Sequence, residues 1–199
     1  GMGTVAPNPY YTKDIAAVCM DTIFMPTVKA MCSEGCPFKG CLYFGLMLTP
    51  DGPKVIEYNS RFGDPETQVV LPLLETPLVD IVEAVADETL DKIDVVFYED
   101  SCACVIMASG GYPGSYAKGI EINGLDDKGA VDGAIVYHAG TKLTDGKFLT
   151  NGGRVLGVTA RAENLPDALA KAYAATDKIF FEGAHKRTDI GKRALDALK

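Results

Sequence analysis

Val55-Ile56-Glu57-Tyr58-Asn59-Ser60-Arg61-Phe62-Gly63-Asp64-Pro65-Glu66 is the stretch around which the chain is organised. It opens as an apolar strand, turns polar on one face and breaks at Gly63 and Pro65. Side chains alternate along a strand, so Glu57, Asn59 and Arg61 are expected in one row, roughly 6.5 Å apart at about 3.3 Å of rise per residue. A carboxylate, an amide oxygen and a guanidinium in line make a poor core. They make a good floor for a divalent metal and phosphate. The plainer reading is a solvated edge-strand face with Arg61 paired to Glu57, and the row alone does not choose between the two.

Upstream, Cys41 to Leu48 is a continuous apolar run, which predicts a strand buried on both faces. Pro50-Asp51-Gly52-Pro53 supplies a turn into the strand that carries the polar row, giving a hairpin. Residues 12–34 show helical spacing interrupted by Pro26, where a kink or two abutting helices are expected, and Gly35 is a stop signal. The opening Gly1-Met2-Gly3-Thr4-Val5-Ala6-Pro7-Asn8-Pro9 has no periodicity and reads as a loop.

Downstream, Asp64 is placed to cap a helix with Pro65 in its first turn, and Pro77 opens another with Leu78, Ile81, Val82 and Val85 on its apolar face. Charged residues from Asp87 to Asp94 then suggest a boundary, dividing the chain into 1–86 and 87–199. Beyond it, strands are expected at Ser101 to Ser109, near Ile120, at Ile135 to His138 and at Val155 to Ala160. Asn151-Gly152-Gly153 reads as a hairpin turn between the last two, and a helix is expected from Leu165 to Phe181. The C-terminal piece Asp189-Ile190-Gly191-Lys192-Arg193-Ala194-Leu195 reads as short and helical. The fold class is α+β in two lobes.

Composition narrows the function classes. The chain has 199 residues, 47% of them hydrophobic, and a net charge of −8. Mean hydropathy is +0.08, which reads as a soluble globular chain with a real core. The acidic balance argues against a nucleic-acid partner, which needs a basic patch. No continuous apolar run approaches the roughly 18 residues of a membrane span, so no membrane partner is expected, and no secretory leader is visible. The six cysteines, Cys19, Cys32, Cys36, Cys41, Cys102 and Cys104, lack a zinc-type spacing and read as reduced thiols in the cytoplasm.

The run Glu57-Tyr58-Asn59-Ser60-Arg61-Phe62-Gly63-Asp64-Pro65-Glu66-Thr67-Gln68 resembles the signature of the phosphoribosylamine–glycine ligase (glycinamide ribonucleotide synthetase) family. The similarity continues in order through Gly1-Met2-Gly3, Pro26-Thr27-Val28, Gly110-Gly111-Tyr112-Pro113-Gly114, His138-Ala139-Gly140-Thr141, Thr150-Asn151-Gly152-Gly153-Arg154-Val155 and Arg187 to Gly191. Each motif is short, and their order across the whole chain carries the resemblance. It implies the C-terminal part of an ATP-grasp core, an antiparallel sheet with helices, followed by a small mixed α/β C-terminal domain.

By that resemblance the chemistry joins glycine to 5-phosphoribosylamine, with ATP as co-substrate and a glycyl phosphate as intermediate. The family's metal positions fall on Glu57 and Asn59, for magnesium or manganese, and its phosphoryl-steadying position falls on Arg61. Asp64 is either a helix cap or a substrate-amine contact. Arg154 is a candidate substrate-binding residue, His138 reads as structural rather than as a base, and Tyr112 has no assigned role. The family's N-terminal and ATP-lid domains have no counterpart in this sequence, so the chain alone is expected to lack ligase activity. The rivals are a non-catalytic module of ATP-grasp descent and an ATP-grasp ligase for another substrate.

Overall fold

The computed structural model describes residues 1–199. Its elements are β1 (Gly3–Ala6), α1 (Lys13–Cys19), α2 (Met25–Ser33), β2 (Tyr43–Thr49), β3 (Gly52–Asn59), α3 (Thr67–Val70), α4 (Leu78–Ala86), β4 (Ser101–Ala108), β5 (Ile135–His138), β6 (Thr141–Thr144), β7 (Lys147–Thr150), β8 (Arg154–Ala162), α5 (Leu165–Thr176) and α6 (Lys192–Ala197). They form two compact units, each assembled from separated stretches. One comprises residues 1–7, 64–73 and 98–199, and the other residues 8–63 and 74–97. The compact units do not follow chain order, because the first strand and the 64–73 segment pack with the C-terminal strands.

The larger unit is built on an antiparallel sheet of order β1-β4-β8-β5. All eight residues of β4 are buried, because the sheet is covered on both faces there. On one face, Ala103, Val105, Ala160 and Ala162 meet Leu165, Ala168, Leu169 and Ala172 of α5. These small side chains let a helix lie close to the strands. On the other face, Val69 and Leu73 pack on Cys102, Cys104 and Ile106. The N-terminal residues were expected as a loop and instead form β1, in register with β4 from Gly3↔Val105 to Ala6↔Cys102. Four residues without alternation give no local signal, and their partner lies about a hundred positions away.

Three other expectations change in this unit. The helix after Asp64 starts at Thr67 with Glu66 as its N-cap, so Asp64 caps nothing. Asn151-Gly152-Gly153 is not a hairpin turn between β5 and β8, because the β6–β7 hairpin intervenes. Its turn is Asp145-Gly146, with φ of 50° and 76°, the left-handed pair that a two-residue hairpin demands. Helix α5 stops at Thr176, where the Thr176 hydroxyl donates back to the Tyr173 carbonyl, rather than continuing to Phe181.

The smaller unit contains the expected β2–β3 hairpin, with a bulge between Gly45 and Leu46. Strand β2 is half-buried to exposed, not buried on both faces. The helical run is continuous through Lys13–Ser33, with a π-helical turn at Met20–Phe24 placed before Pro26 rather than a kink at it. Pro26 occupies the first turn of α2, where a missing N–H is least disruptive. Gly35 at φ 74° ends the run as the spacing suggests.

At 21 residues and hydropathy 1.4, this joined helix is long and apolar enough, by length and composition alone, to cross a membrane. It holds no continuous apolar run of that length, since Asp14, Asp21 and Lys29 interrupt it. Most of its residues are exposed; Cys19 alone is fully buried, and Phe24 meets the Phe44 ring of the hairpin at 4.5 Å. Phe44 in turn meets its cross-strand partner Tyr58 at 5.3 Å, edge-on.

Candidate functional site

In the smaller unit, the polar row begins as the spacing predicts. Glu57 and Asn59 lie on one face of β3, and the Asn59 amide stands 3.4 Å from a Glu57 carboxylate oxygen. Across the hairpin they face Gly45 and Tyr43 respectively. A Cβ at Gly45 would come within 2.8 Å of Glu57 Cγ, so the glycine leaves the room into which the Glu57 side chain folds. A carboxylate and an amide oxygen on one strand face are hard donors of the kind a magnesium-type ion takes, with phosphate and water for the rest.

Arg61 departs from the row. Strand β3 ends at Asn59, and Arg61 stands in a bend beyond it, with its guanidinium donating to the Phe62 carbonyl at 2.8 Å. It is not spent on Glu57. The surface ion pair of the plainer reading is therefore not formed, and the exposed guanidinium keeps most of its donors.

In the larger unit, the two substrate candidates meet. Arg154, the first residue of β8, pairs with Asp64 through Nη2 to Oδ2 at 2.9 Å, and its Nη1 donates to the Asp64 carbonyl at 2.9 Å and the Gly1 carbonyl at 3.3 Å. The other Asp64 carboxylate oxygen accepts from Gln68 Nε2 at 2.9 Å. A guanidinium fork so placed fixes one carboxylate in orientation. The Arg154 side chain is 24% exposed and that of Asp64 is 43% exposed, so the carboxylate presents an open edge from a fixed mount. Gln68 is a site residue that spacing did not single out. Its position one turn after Asp64 was the available signal.

The loops at this end of the sheet are drawn together by glycines. Ser109 donates through its hydroxyl to the Gly152 carbonyl and through its backbone to the Gly153 carbonyl, both at 2.8 Å. A Cβ at Gly153 would stand 2.3 Å from the Tyr112 ring, so Tyr112 packs flat against that backbone. This gives Tyr112 a structural role. His138 is also structural: Nδ1 meets the Thr141 hydroxyl and Nε2 the Gly129 carbonyl, each at 2.9 Å, and the ring packs on Phe148. Both nitrogens are engaged in contacts within the chain. Burial pushes the Cys102 thiol up to about 12 and the Cys104 thiol up to about 11, so both are protonated and inert near neutral pH.

Comparison with known proteins matches these elements in order. Residues 1–67 match the family model of the phosphoribosylglycinamide synthetase ATP-grasp (A) domain, and residues 102–193 match that of its C domain. The phosphoribosylamine–glycine ligase of Caldanaerobacter subterraneus is 48% identical, over 96% of this chain and 45% of that protein. The trifunctional purine biosynthetic protein adenosine-3 of Gallus gallus is 50% identical, over 98% of this chain and 19% of its own length. The crystal structure of phosphoribosylamine–glycine ligase from Thermotoga maritima superposes with a TM-score of 0.83 at 34% identity, covering 96% of this chain and 46% of that one. The chain thus spans just under half the length of the two ligases and about a fifth of the trifunctional relative. With both domain models matched in sequence order and the fold shared, the chain belongs to the phosphoribosylglycinamide synthetase family.

Proposed function

We propose that this chain supplies the metal- and phosphoryl-binding strand and the C-terminal domain of a phosphoribosylamine–glycine ligase. The reaction is ATP-dependent joining of glycine to 5-phosphoribosylamine through a glycyl phosphate, a cytoplasmic step of purine synthesis. The observation that carries the proposal is the Glu57–Asn59 pair beside Gly45, within the segment matching the ATP-grasp domain.

In this reading Glu57 and Asn59 hold a magnesium or manganese ion, which when bound neutralises charge on the transferring phosphoryl oxygens. Arg61 steadies the acyl phosphate or glycine carboxylate with donors that its Phe62 contact leaves open. Asp64, held by Arg154 and Gln68, takes the substrate amine. No protein nucleophile is needed. The free state of all six cysteines suits a reducing compartment.

The direct test is manganese titration of the isotope-labelled chain by NMR. Paramagnetic broadening centred on Glu57 and Asn59, weak in affinity and lost in Glu57→Gln, is expected. Broadening centred elsewhere, or unchanged in that variant, overturns the metal assignment. Because two protein donors leave magnesium mostly hydrated, and the chain spans under half the length of the ligases it matches, a coupled ADP-release assay of the chain alone should show no turnover. Turnover above blank would refute the reading of the chain as one part of the site.

A further inference from the structure

Tyr173, on α5, makes two hydrogen bonds through one hydroxyl: it donates to the Arg187 carbonyl at 2.9 Å and accepts from the Ile190 amide at 3.0 Å. Between those contacts the chain is cinched by a two-point ion pair, Arg187 Nε and Nη2 to the two Asp189 oxygens at 2.7 and 2.6 Å. The segment from Arg187 to Gly191 is thereby a strap fastened to α5 at its midpoint. It also lies on β1. A Cβ at Gly3 would stand 2.7 Å from the Ile190 side chain, and one at Gly191 would stand 2.6 Å from Leu169 and 3.2 Å from Val5. Gly191 has φ of 76°, a conformation that suits glycine and lets the strap turn tightly into α6.

Strand β1 is an edge strand of four residues, bonded on one side only, and such elements open easily. Its N-terminal neighbour, Gly1, accepts from Arg154 and lies against Pro65. The line of contacts therefore runs from the Tyr173 hydroxyl to the strap, from the strap to β1, and from β1 to the Arg154–Asp64 pair.

We infer that Tyr173 is a positioning residue: through the Arg187–Gly191 strap and β1, its hydroxyl keeps Arg154 and Asp64 in register. The consequence for catalysis rests on the ligase reading of Asp64. The mechanical claim does not.

The test uses Tyr173→Phe, which keeps the ring and removes only the hydroxyl, and Asp189→Ala, which removes the ion pair that cinches the strap from within. Amide exchange by NMR is followed at β1 and at Val158 to Ala160 of β8, with the Arg154 side-chain N–H signals as the readout of the pair. Both variants should speed exchange in β1 by about tenfold and broaden the Arg154 signals, leaving the β8 amides within about twofold. If β1 and Arg154 are unmoved in Tyr173→Phe, or if all sheet amides accelerate together, the positioning role is refuted. Should Tyr173→Phe fail to fold, Asp189→Ala carries the same two readouts. Absence of manganese broadening at Glu57 in the unsubstituted chain would overturn the metal assignment and leave this result standing.

Discussion

Arg154 and Asp64 are 90 residues apart in the chain and 2.9 Å apart in the structure, and that pair ties the head of β8 to the segment before α3. It replaces the helix cap that the sequence around Asp64-Pro65 suggests. One guanidinium thereby holds a side chain and two backbone carbonyls.

Removing that fork should be felt. Arg154→Ala is expected to lower stability by about 1–2 kcal/mol, at the lower end of charged hydrogen bonds because Asp64 is partly solvated. A double-mutant cycle with Asp64→Ala, read by urea unfolding, should return a coupling of roughly 0.5–1 kcal/mol. A coupling of zero would mean that the pair is geometric but not energetic.

Gly129 tests the seat of His138. Its φ is 78°, and an added Cβ would lie 2.5 Å from His138 Nε2 and 2.8 Å from the Phe148 ring. Gly129→Ala therefore combines an unfavourable backbone with a clash against two rings and should cost about 2–3 kcal/mol by thermal or urea unfolding. A change below about 0.5 kcal/mol, the level of an ordinary surface substitution, contradicts this account.

Gly45 offers a probe that leaves the metal donors themselves intact. Gly45→Ala places a methyl 2.8 Å from Glu57 Cγ, which can move because it belongs to a flexible side chain. The chain should fold normally by circular dichroism while manganese broadening at Glu57 weakens. Equal broadening in both proteins argues that the space beside Glu57 is unrelated to metal.

The buried thiols set an alkaline limit. Burial raises Cys102 to about 12 and Cys104 to about 11 from an ordinary 9.0. As pH rises past 9 the unfolded chain releases these protons first, so stability is intact below pH 9 and declines between 9 and about 12. Urea midpoints from pH 7 to 11 should show that decline, and it should be shallower in a Cys102→Ala, Cys104→Ala protein. Under native conditions a thiol reagent should label exposed Cys32 and Cys36 first and reach Cys102 and Cys104 only on unfolding.

What the sequence made legible was local. The β2–β3 hairpin follows from a turn-forming tetrapeptide between apolar runs, and Glu57 and Asn59 share a face because strand periodicity leaves no other arrangement. The alternation argument fails at Arg61 because the strand ends two residues earlier. Strand β1 was hidden because its stabilisation comes from β4, far along the chain, rather than from its own composition. At Asp64 the cap reading fails because the helix begins later, at Thr67, and Arg154, far along the chain, takes the carboxylate instead. The β6–β7 hairpin could have been read from Asp145-Gly146, since an Asp-Gly pair between short β-prone runs is a strong turn signal.

The order β1-β4-β8-β5 also bears on how the chain emerges during synthesis. Strand β1 is made first yet has no partner until β4 appears, and β5 has none until β8 follows it. The central β8 is thus the last strand delivered. Until the ribosome has passed Ala162, the nascent sheet is two disconnected pieces with open edges. The β2–β3 hairpin needs no such wait, because its two strands are near neighbours in sequence. Each round of translation should therefore yield an early closed hairpin and a late, abrupt completion of the sheet, and the interval between them is when the exposed strand edges are open to mispairing.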